Sequence, residues 1–419
     1  MHLRIRKRSL AEYIIFLIGL LPFFLSFLPY SCRYVLDLGW CALLALLILY
    51  RRELDFRPIR PLLYWMLAFV LTSALFYLFH YRSMINYLWG ARNNFRFYPF
   101  FAAVCLFQTE QDAEAVFRIF DLLFWLNLAL SLYQFAVLDL GQDNLGGIFG
   151  TEVGCNAYSN LFFVVIVSRS LSRFLNGKEH LLSCSMKCSS ALLLSALAEL
   201  KIFYIEFALI TVLLLLLNRP SRRSVLLILL GSGGLIGAAI LLIGLYPEFT
   251  EVLSPQGLLK AAISSRGYTS SGDFNRLTVI PLANEWFLQD PLSQLFGLGL
   301  GNCETSHFEL LNTSFYRRYG DSHYTWLSTA FLYLEMGWVG LLFLFGFFIL
   351  NERLCARNQR RGGNVIHCQT GRVLSVCALL ILIYNSSLRT EAAYLFYWAL
   401  ALAHGKKSYK IENNRTRHI

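Results

Sequence analysis

Charged residues are scarce in this chain of 419 residues. Asp, Glu, Lys and Arg make up 15% of it, whereas soluble domains carry roughly 25%. Apolar residues make up 56% and occur in blocks rather than at the periods of amphipathic helices or strands. Residues 225–246 contain no charge, and residues 324–350 contain only Glu335. These blocks exclude a soluble enzyme, a disordered chain and a nucleic-acid-binding module.

The sequence also lacks the pattern of a disulfide framework or a metal centre. On the topology given below, three of the ten cysteines face outward: Cys32, Cys155 and Cys303. An odd number argues against paired disulfides. Cys184 and Cys188 lie near His180, but a fourth zinc ligand is missing. We therefore expect no metal and no cofactor.

Two further signals are missing. The basic start, residues 4–8, precedes an apolar stretch without a small-x-small cleavage site, so we expect a signal anchor that becomes the first span. No internal repeat is evident of the kind that gives many transporters paired, broken helices. That absence weakens a transporter interpretation.

The apolar blocks predict an all-α polytopic membrane protein, a single domain over residues 1–419 with about twelve transmembrane helices. The predicted spans are residues 13–28, 34–50, 61–79, 95–107, 119–138, 158–167, 191–198, 202–217, 225–246, 326–350, 373–384 and 392–404. Several are short, and we expect their helices to extend into the polar flanks, the seventh from as early as Leu181. Glu335 predicts a helix break in the tenth span, where Gly337 and Gly340 allow close packing.

The distribution of basic residues gives the orientation. With both termini in the cytoplasm, 26 of the 37 Lys and Arg residues lie in cytoplasmic segments, as the positive-inside rule requires. The net charge of +11 is therefore mostly a topology signal and no evidence for a nucleic acid. Residues 1–8 and the C-terminal tail indicate contact with anionic membrane lipid.

One long hydrophilic segment, residues 247–325, lies between the ninth and tenth spans and is placed outside by this topology. Segments of this length are usually binding loops or lids. We expect a helix over residues 274–288, capped by Asp273 and bent by Pro281. A glycine-rich turn over residues 297–301 and a second helix over residues 304–311 should follow.

Several outer cations are candidates for binding an anion. Arg92 and Arg96 are one helical turn apart, and two guanidinium forks on one face suit a phosphate or diphosphate. The alternative is that both snorkel to lipid headgroups. Lys201 either faces the same cavity or is neutralised by Glu199 or Glu206.

The outer loop supplies the remaining candidates. Arg276 is expected to open the loop helix, where the macrodipole opposes it, which favours a functional role over a solvated charge. Arg317 and Arg318 are further candidates for substrate binding. His323 lies where the loop meets the tenth span and is a candidate general base, the alternative being an ordinary interfacial residue. Asp321 and Glu304 are the next candidate bases.

These residues come in an order that resembles the O-antigen polymerase and O-antigen ligase family. The late outer loop resembles that family's loop through Arg276, Trp286, Pro291, Gly297, Gly299, Gly301, His323 and Tyr324. The tenth span continues the resemblance with Glu335, Gly337 and Gly340. Residues 146–150 followed by Asn156 are similar to the family's Gly-x-Phe…Asn stretch, but Glu199-Leu200-Lys201 stands where many members carry Ser-Arg.

The resemblance implies glycosyl transfer at the outer face of a bacterial inner membrane. The donor would be an oligosaccharide on a polyprenyl diphosphate, and the reaction would need no metal. His323 would be the general base and Arg276 a catalytic cation, while Arg92, Arg96, Lys201, Arg317 and Arg318 would bind substrate. Polymerisation of repeat units is preferred, with ligation to a lipid A core or a non-enzymatic flippase as alternatives. Implied partners are membrane lipid, a chain-length regulator and a flippase.

Overall fold

The computed structural model describes residues 2–79, 83–247 and 274–405, with side chains from residue 10 onward. All of its regular elements in these residues are helical. Ten helices precede the outer loop: α1 (His2–Leu20), α2 (Tyr34–Leu49), α3 (Arg60–Phe79), α4 (Met84–Phe95), α5 (Phe97–Phe107), α6 (Glu110–Val137), α7 (Asn156–Leu175), α8 (Leu181–Leu197), α9 (Lys201–Leu217) and α10 (Arg222–Leu245).

Six further helices follow within the described residues. Three short ones belong to the loop: α11 (Val279–Trp286), α12 (Pro291–Phe296) and α13 (Ser314–Tyr319). The last three return to the bundle: α14 (Ser328–Arg360), α15 (Val365–Tyr384) and α16 (Ala393–Ala401). Helices α7, α14, α15 and α16 contribute much of the buried core.

Six segments within the described residues are long and apolar enough to cross a membrane. They are Tyr30–Leu49, Arg60–Phe79, Glu110–Val137, Arg222–Leu245, Ser328–Arg360 and Val365–Tyr384. Three shorter apolar helices, Leu10–Phe23, Leu181–Leu197 and Ala393–His404, accompany them. The all-helical class is therefore confirmed, the apolar helices support a membrane protein, and the number of twelve crossings stays a prediction.

Several predicted spans extend into their polar flanks, as expected, but those predicted over residues 95–107 and 392–404 do not: α5 has 11 residues and α16 has nine. Helix α6 begins at Glu110, behind a capping box in which Thr109 and Asp112 satisfy each other's backbone amides. Helix α8 begins at Leu181. Helix α7 carries Arg169 into the buried interior, where Glu114 of α6 lies 2.7 Å from its guanidinium. Pairing of this kind lets a charged residue lie inside an otherwise apolar packing.

The outer loop differs from the prediction in three places. Helix α11 begins at Val279, three residues after Arg276, so Arg276 precedes the helix rather than opening it. Pro281 falls in the first turn of α11, where a proline is tolerated because that N–H has no intrahelical partner. The second predicted helix, over residues 304–311, is wrong: only a 3-10 turn, Glu309–Leu311, forms there. The predicted cap, Asp273, lies outside the described residues.

The helix break predicted in the tenth span is confirmed. Gly337 has φ +57° inside α14, a conformation that an L side chain rarely adopts. The break frees the carbonyl groups of Leu334 and Glu335 from the helix ladder. They accept hydrogen bonds from the backbone amides of Leu298 and Gly299, at 2.8 and 2.9 Å. The glycine-rich turn of the loop is thereby docked in the broken span.

This docking depends on close backbone approach. A Cβ at Gly297 would collide with the backbone of Glu335, and one at Gly337 with the carbonyl of Gln294. On the far side of the turn, Gly301 lies against the backbone of Asn86 in α4. The turn is therefore held between α4 and α14, and it fixes the loop over that end of the bundle.

Candidate functional site

Arg92, at the end of α4, is fully engaged by neighbouring side chains. Its Nε and Nη2 donate to the two carboxylate oxygens of Asp37, at 2.8 and 2.7 Å, and its Nη1 donates to Asn93 at 2.6 Å. Asp37 lies in the first turn of α2, 55 residues earlier in the chain. This is the bidentate geometry that a guanidinium would otherwise use for phosphate oxygens.

Arg96, in the break between α4 and α5, turns to a different set of partners. Its Nη1 donates to Glu391 at 3.2 Å, and its Nη2 donates to the carbonyl of Arg389 at 2.7 Å. The side chain is 2% exposed. Although burial acts in the opposite direction, Arg96 and its neighbours hold the pKa of Glu391 below its usual range. The two arginines therefore do not converge on one anion in this structure.

Glu304 links the loop to both of these regions. One of its oxygens accepts from Asn93 at 2.9 Å, and the other accepts from Arg389 at 2.6 Å. Burial raises the pKa of Glu304 above its usual value, although the Arg389 guanidinium opposes that shift. We call the whole assembly the outer ion-pair cluster; it comprises Asp37, Arg92, Arg96, Glu304, Arg389 and Glu391.

The outer ion-pair cluster has little free space. The cavity beside Asn93 and Arg389 has a volume of about 20 Å³. A volume of this size holds about one water molecule. A diphosphate could enter only if the carboxylates moved away.

Arg276 lies in a different setting, on the wall of an open groove. The groove has a volume of about 640 Å³ and runs between α11, α12, α14 and α15. Its other walls are mostly apolar, with Ile280, Trp338, Leu342 and Phe345 among them. A volume of several hundred cubic ångströms and an apolar lining with a few polar groups are typical of ligand sites.

Helix α15 positions the Arg276 side chain. Its Nε donates to the carbonyl of Tyr384 at 2.9 Å, and its guanidinium carbon lies 3.8 Å from the centre of the Tyr384 ring. Burial lowers the pKa of Arg276, and the Tyr384 hydroxyl opposes that shift. Tyr384 thus holds the cation at the edge of the groove by a hydrogen bond and a cation–π contact.

His323 lies close to the segment that carries Arg276. The backbone amide of Phe274 donates to the carbonyl of Ser322 at 3.2 Å, which aligns the two segments side by side. His323 is half-buried, has φ +55°, and packs its ring against Trp326 with the centroids 3.9 Å apart. A left-handed conformation is uncommon for any residue other than glycine, and such strain concentrates at functional sites.

The remaining candidates lie elsewhere. Lys201 Nζ is 2.9 Å from a carboxylate oxygen of Glu199, so these two charges neutralise each other at the turn between α8 and α9. Arg317 and Arg318 are exposed on α13, where Arg317 donates to the carbonyl of Glu309 at 3.0 Å. Neither Lys201 nor this pair lines the groove that Arg276 lines.

Sequence reasoning missed the carboxylates that partner the arginines. Asp37 lies in the first turn of α2 and Glu391 in the short segment before α16, both far from Arg92 and Arg96 in the sequence, so no local spacing marks them as partners. The available signal was the presence of acidic residues near the ends of apolar segments, as with Asp37 and Glu391. Within the described residues, no group of three His, Cys, Asp or Glu side chains could hold a metal ion.

Comparison with known proteins leaves the site to be interpreted from its own geometry. No protein-family model matches this chain, and no curated protein matches it.

Proposed function

We propose that the protein transfers glycans at the outer face of the bacterial inner membrane. It joins oligosaccharide repeat units carried on polyprenyl diphosphate into O-antigen or capsular polysaccharide. The proposal includes twelve crossings, cytoplasmic termini and an outer position for residues 247–325. It rests on the resemblance of the loop and the tenth span, and on the groove that Arg276 lines.

The groove is the observation that carries the proposal. A polyprenyl chain is apolar, and a wall of residues such as Trp338, Leu342 and Phe345 would bury it. The diphosphate at the end of that chain is anionic, and Arg276 at the edge of the groove offers it a cation. Trp338 and Leu342 are 48% and 60% exposed, so the groove opens on the side of the bundle, where a lipid could enter.

The chemistry follows from this placement. An acceptor hydroxyl attacks the anomeric carbon of the donor, the bond to the diphosphate oxygen breaks, and its electron pair leaves with the diphosphate. Arg276 stabilises the charge that grows on the leaving group. His323, on the adjacent segment, takes the proton from the acceptor hydroxyl.

Two other functions share the same lipid-linked substrate. A ligase would transfer the finished glycan to a lipid A core, and a flippase would move the carrier across the membrane without chemistry. Arg276 and His323 lie on adjacent segments of the same loop, which favours an enzyme that acts at one face.

Deletion of the gene tests the proposal. Surface polysaccharide is separated on a gel and lipid-linked precursors are extracted from the same cells. A polymerase predicts loss of the ladder with a single repeat unit retained. Long lipid-linked chains that never reach the core would assign a ligase, and loss of outward-facing precursor would assign a flippase.

Orientation is tested separately by cysteine labelling. Leu310, in the outer loop, is 86% exposed, and Arg361 lies exposed after α14. We expect an impermeant maleimide added to intact spheroplasts to label Leu310→Cys and not Arg361→Cys. Both variants are made in a Cys32→Ser, Cys41→Ser background, because those are the two native thiols that are not buried. Labelling of Arg361→Cys alone would contradict the orientation.

A further inference from the structure

Glu206 and Asn160 form a second polar site; neither residue lines the groove or belongs to the outer ion-pair cluster. Glu206 lies in α9 and Asn160 in α7, and both side chains are 0% exposed. Helices α7, α9 and α15 pack against one another around them. An ionisable side chain buried among transmembrane helices is costly unless it is paired or used.

Four polar atoms at this site need partners. Both carboxylate oxygens of Glu206, and both the oxygen and the nitrogen of the Asn160 amide, make no hydrogen bond within the described part of the chain. The two groups nevertheless approach each other closely enough for Asn160 to act on Glu206. Lys201, which sequence analysis offered as a partner, pairs with Glu199 instead.

Protonation of Glu206 would give all four of these atoms a hydrogen-bond partner. An ionised carboxylate can only accept hydrogen bonds, so it can use the Asn160 N–H but leaves the Asn160 oxygen without a donor. A protonated carboxyl can donate its O–H to the Asn160 oxygen while its carbonyl oxygen accepts from the Asn160 N–H. This reciprocal pair satisfies the oxygen and the nitrogen of the amide and both oxygens of the acid.

Within the described residues, neither carboxylate oxygen of Glu206 has a hydrogen-bond partner. Cys377 and Tyr384 of α15 lie within electrostatic range of Glu206. Both are neutral when protonated and negative otherwise, so neither can balance a carboxylate. A negative charge at this position would therefore remain uncompensated in an apolar interior.

We propose that Glu206 is a proton-binding site, occupied at neutral pH, in which the protonated carboxyl and the Asn160 carboxamide form a reciprocal hydrogen-bonded pair joining α9 to α7. The proton enters as the ligand and no other bond is made or broken. The inference does not rest on the proposed function, although Tyr384, which holds Arg276 at the groove, also lies within electrostatic range of Glu206.

Infrared difference spectroscopy of the purified full-length protein at pH 7 tests this proposal. Glu206→Gln keeps the size and the neutral state of the side chain, so the fold should survive. We expect the difference between wild type and Glu206→Gln to show loss of a protonated carboxyl stretch. The matched control, Asp290→Asn, removes a surface carboxylate and should remove carboxylate bands only.

A second variant tests the partner. Asn160→Leu should shift the Glu206 carboxyl stretch to that of a carboxyl without a hydrogen-bond donor or acceptor. Loss of carboxylate bands in Glu206→Gln would overturn the proposal, and dependence of those bands on sodium would assign the site to a cation instead. A carboxyl stretch that does not move in Asn160→Leu would overturn the reciprocal pair.

Discussion

The outer ion-pair cluster and the groove both carry arginine, yet they use it in opposite ways. In the cluster, Arg92 and Arg96 meet the carboxylates of Asp37 and Glu391, and the adjoining cavity holds about 20 Å³. In the groove, Arg276 stacks on Tyr384 at the edge of about 640 Å³ of mostly apolar space. An arginine that is packed into a network of ion pairs holds helices together, whereas an arginine beside an open apolar groove can bind a ligand.

This difference changes the interpretation of the arginines. Sequence spacing makes Arg92 and Arg96 the natural diphosphate clamp, because they share a helical face. The contacts favour a mechanical role for them, since they join α2, α4 and the segment before α16 to the loop through Glu304. We accordingly assign the lipid diphosphate to Arg276 in the proposed function.

The largest effect is expected at His323. His323→Ala, and His323→Asn, which tolerates the left-handed backbone better, should lower the rate of polymer formation about 10²–10⁴-fold, the usual cost of losing a general base. The protein should still insert and bind the lipid-linked donor. Polymer formation is measured in membranes with labelled repeat units, and His307→Ala, an exposed histidine of the same loop, serves as the control.

A normal polysaccharide ladder in both His323 variants would exclude the base. Loss of donor binding together with activity would make His323 a ligand contact instead. Asp321 would then be the next candidate, because Glu304 is already committed to Asn93 and Arg389.

Glu304→Ala should produce the second largest effect, on stability rather than on chemistry. It leaves the guanidinium of Arg389 in a mostly buried position without its carboxylate, and breaking one partner of a buried pair costs about 3–5 kcal/mol. We expect a lower thermal midpoint in detergent and a lower protein level. Glu309→Ala, an exposed carboxylate five residues later, should change neither. An unchanged thermal midpoint in Glu304→Ala would contradict the proposal that the outer ion-pair cluster stabilises the fold.

Arg92→Lys and Arg96→Lys separate the two roles of the cluster more finely. Each replaces a planar fork that serves at least two acceptors with a single ammonium, and loss of one charge-assisted hydrogen bond costs about 1.5–3 kcal/mol. If the arginines are mechanical, stability falls while activity per folded molecule is retained. If they bind the diphosphate, activity per folded molecule falls as well, and our assignment to Arg276 is incomplete.

The fold was largely predictable because the membrane demands it. A backbone surrounded by lipid must satisfy its own hydrogen bonds, so apolar blocks become helices. Each predicted span overlaps a helix, although α1 ends at Leu20, well before the end of the first predicted span at residue 28. Helix α4 was not predicted, because its sequence mixes Arg92, Asn93 and Asn94 with apolar residues and gives no clear period. The kink at Gly337 was predictable from a charge and two glycines within one span.

The site was predictable only in part. His323 was proposed because it stands where the loop meets an apolar span, and Arg276 because it was expected to open the loop helix; both roles stay predictions. The pairing of Arg96 with Glu391 joins residues 295 positions apart, and the groove is assembled from four helices. Such contacts depend on tertiary packing, which no local spacing records.

The smallest expected effect concerns the acid stability of the cluster. The pKa of Glu391 is lower in the folded protein than its ordinary value, because Arg96 and its neighbours outweigh the effect of burial. A lowered pKa contributes stability above the ordinary value of the carboxyl, and this is lost as pH falls through the folded value. Thermal midpoints of wild type should therefore fall on acidification, and those of Glu391→Gln should fall less. If the thermal midpoints of both proteins fall by the same amount on acidification, the pair of Glu391 and Arg96 does not contribute to the pH dependence of stability.

Binding of a polyprenyl diphosphate to purified Arg276 variants tests the central claim most directly. A fluorescent polyprenyl diphosphate is titrated into wild type, Arg276→Gln, Phe345→Ala and Arg92→Gln in detergent at constant ionic strength. We predict that Arg276→Gln and Phe345→Ala each weaken binding at least tenfold, about 1.4 kcal/mol, while the folded fraction of Arg92→Gln binds as wild type does. Equal affinity of wild type, Arg276→Gln and Phe345→Ala, with loss only in Arg92→Gln, would contradict the account.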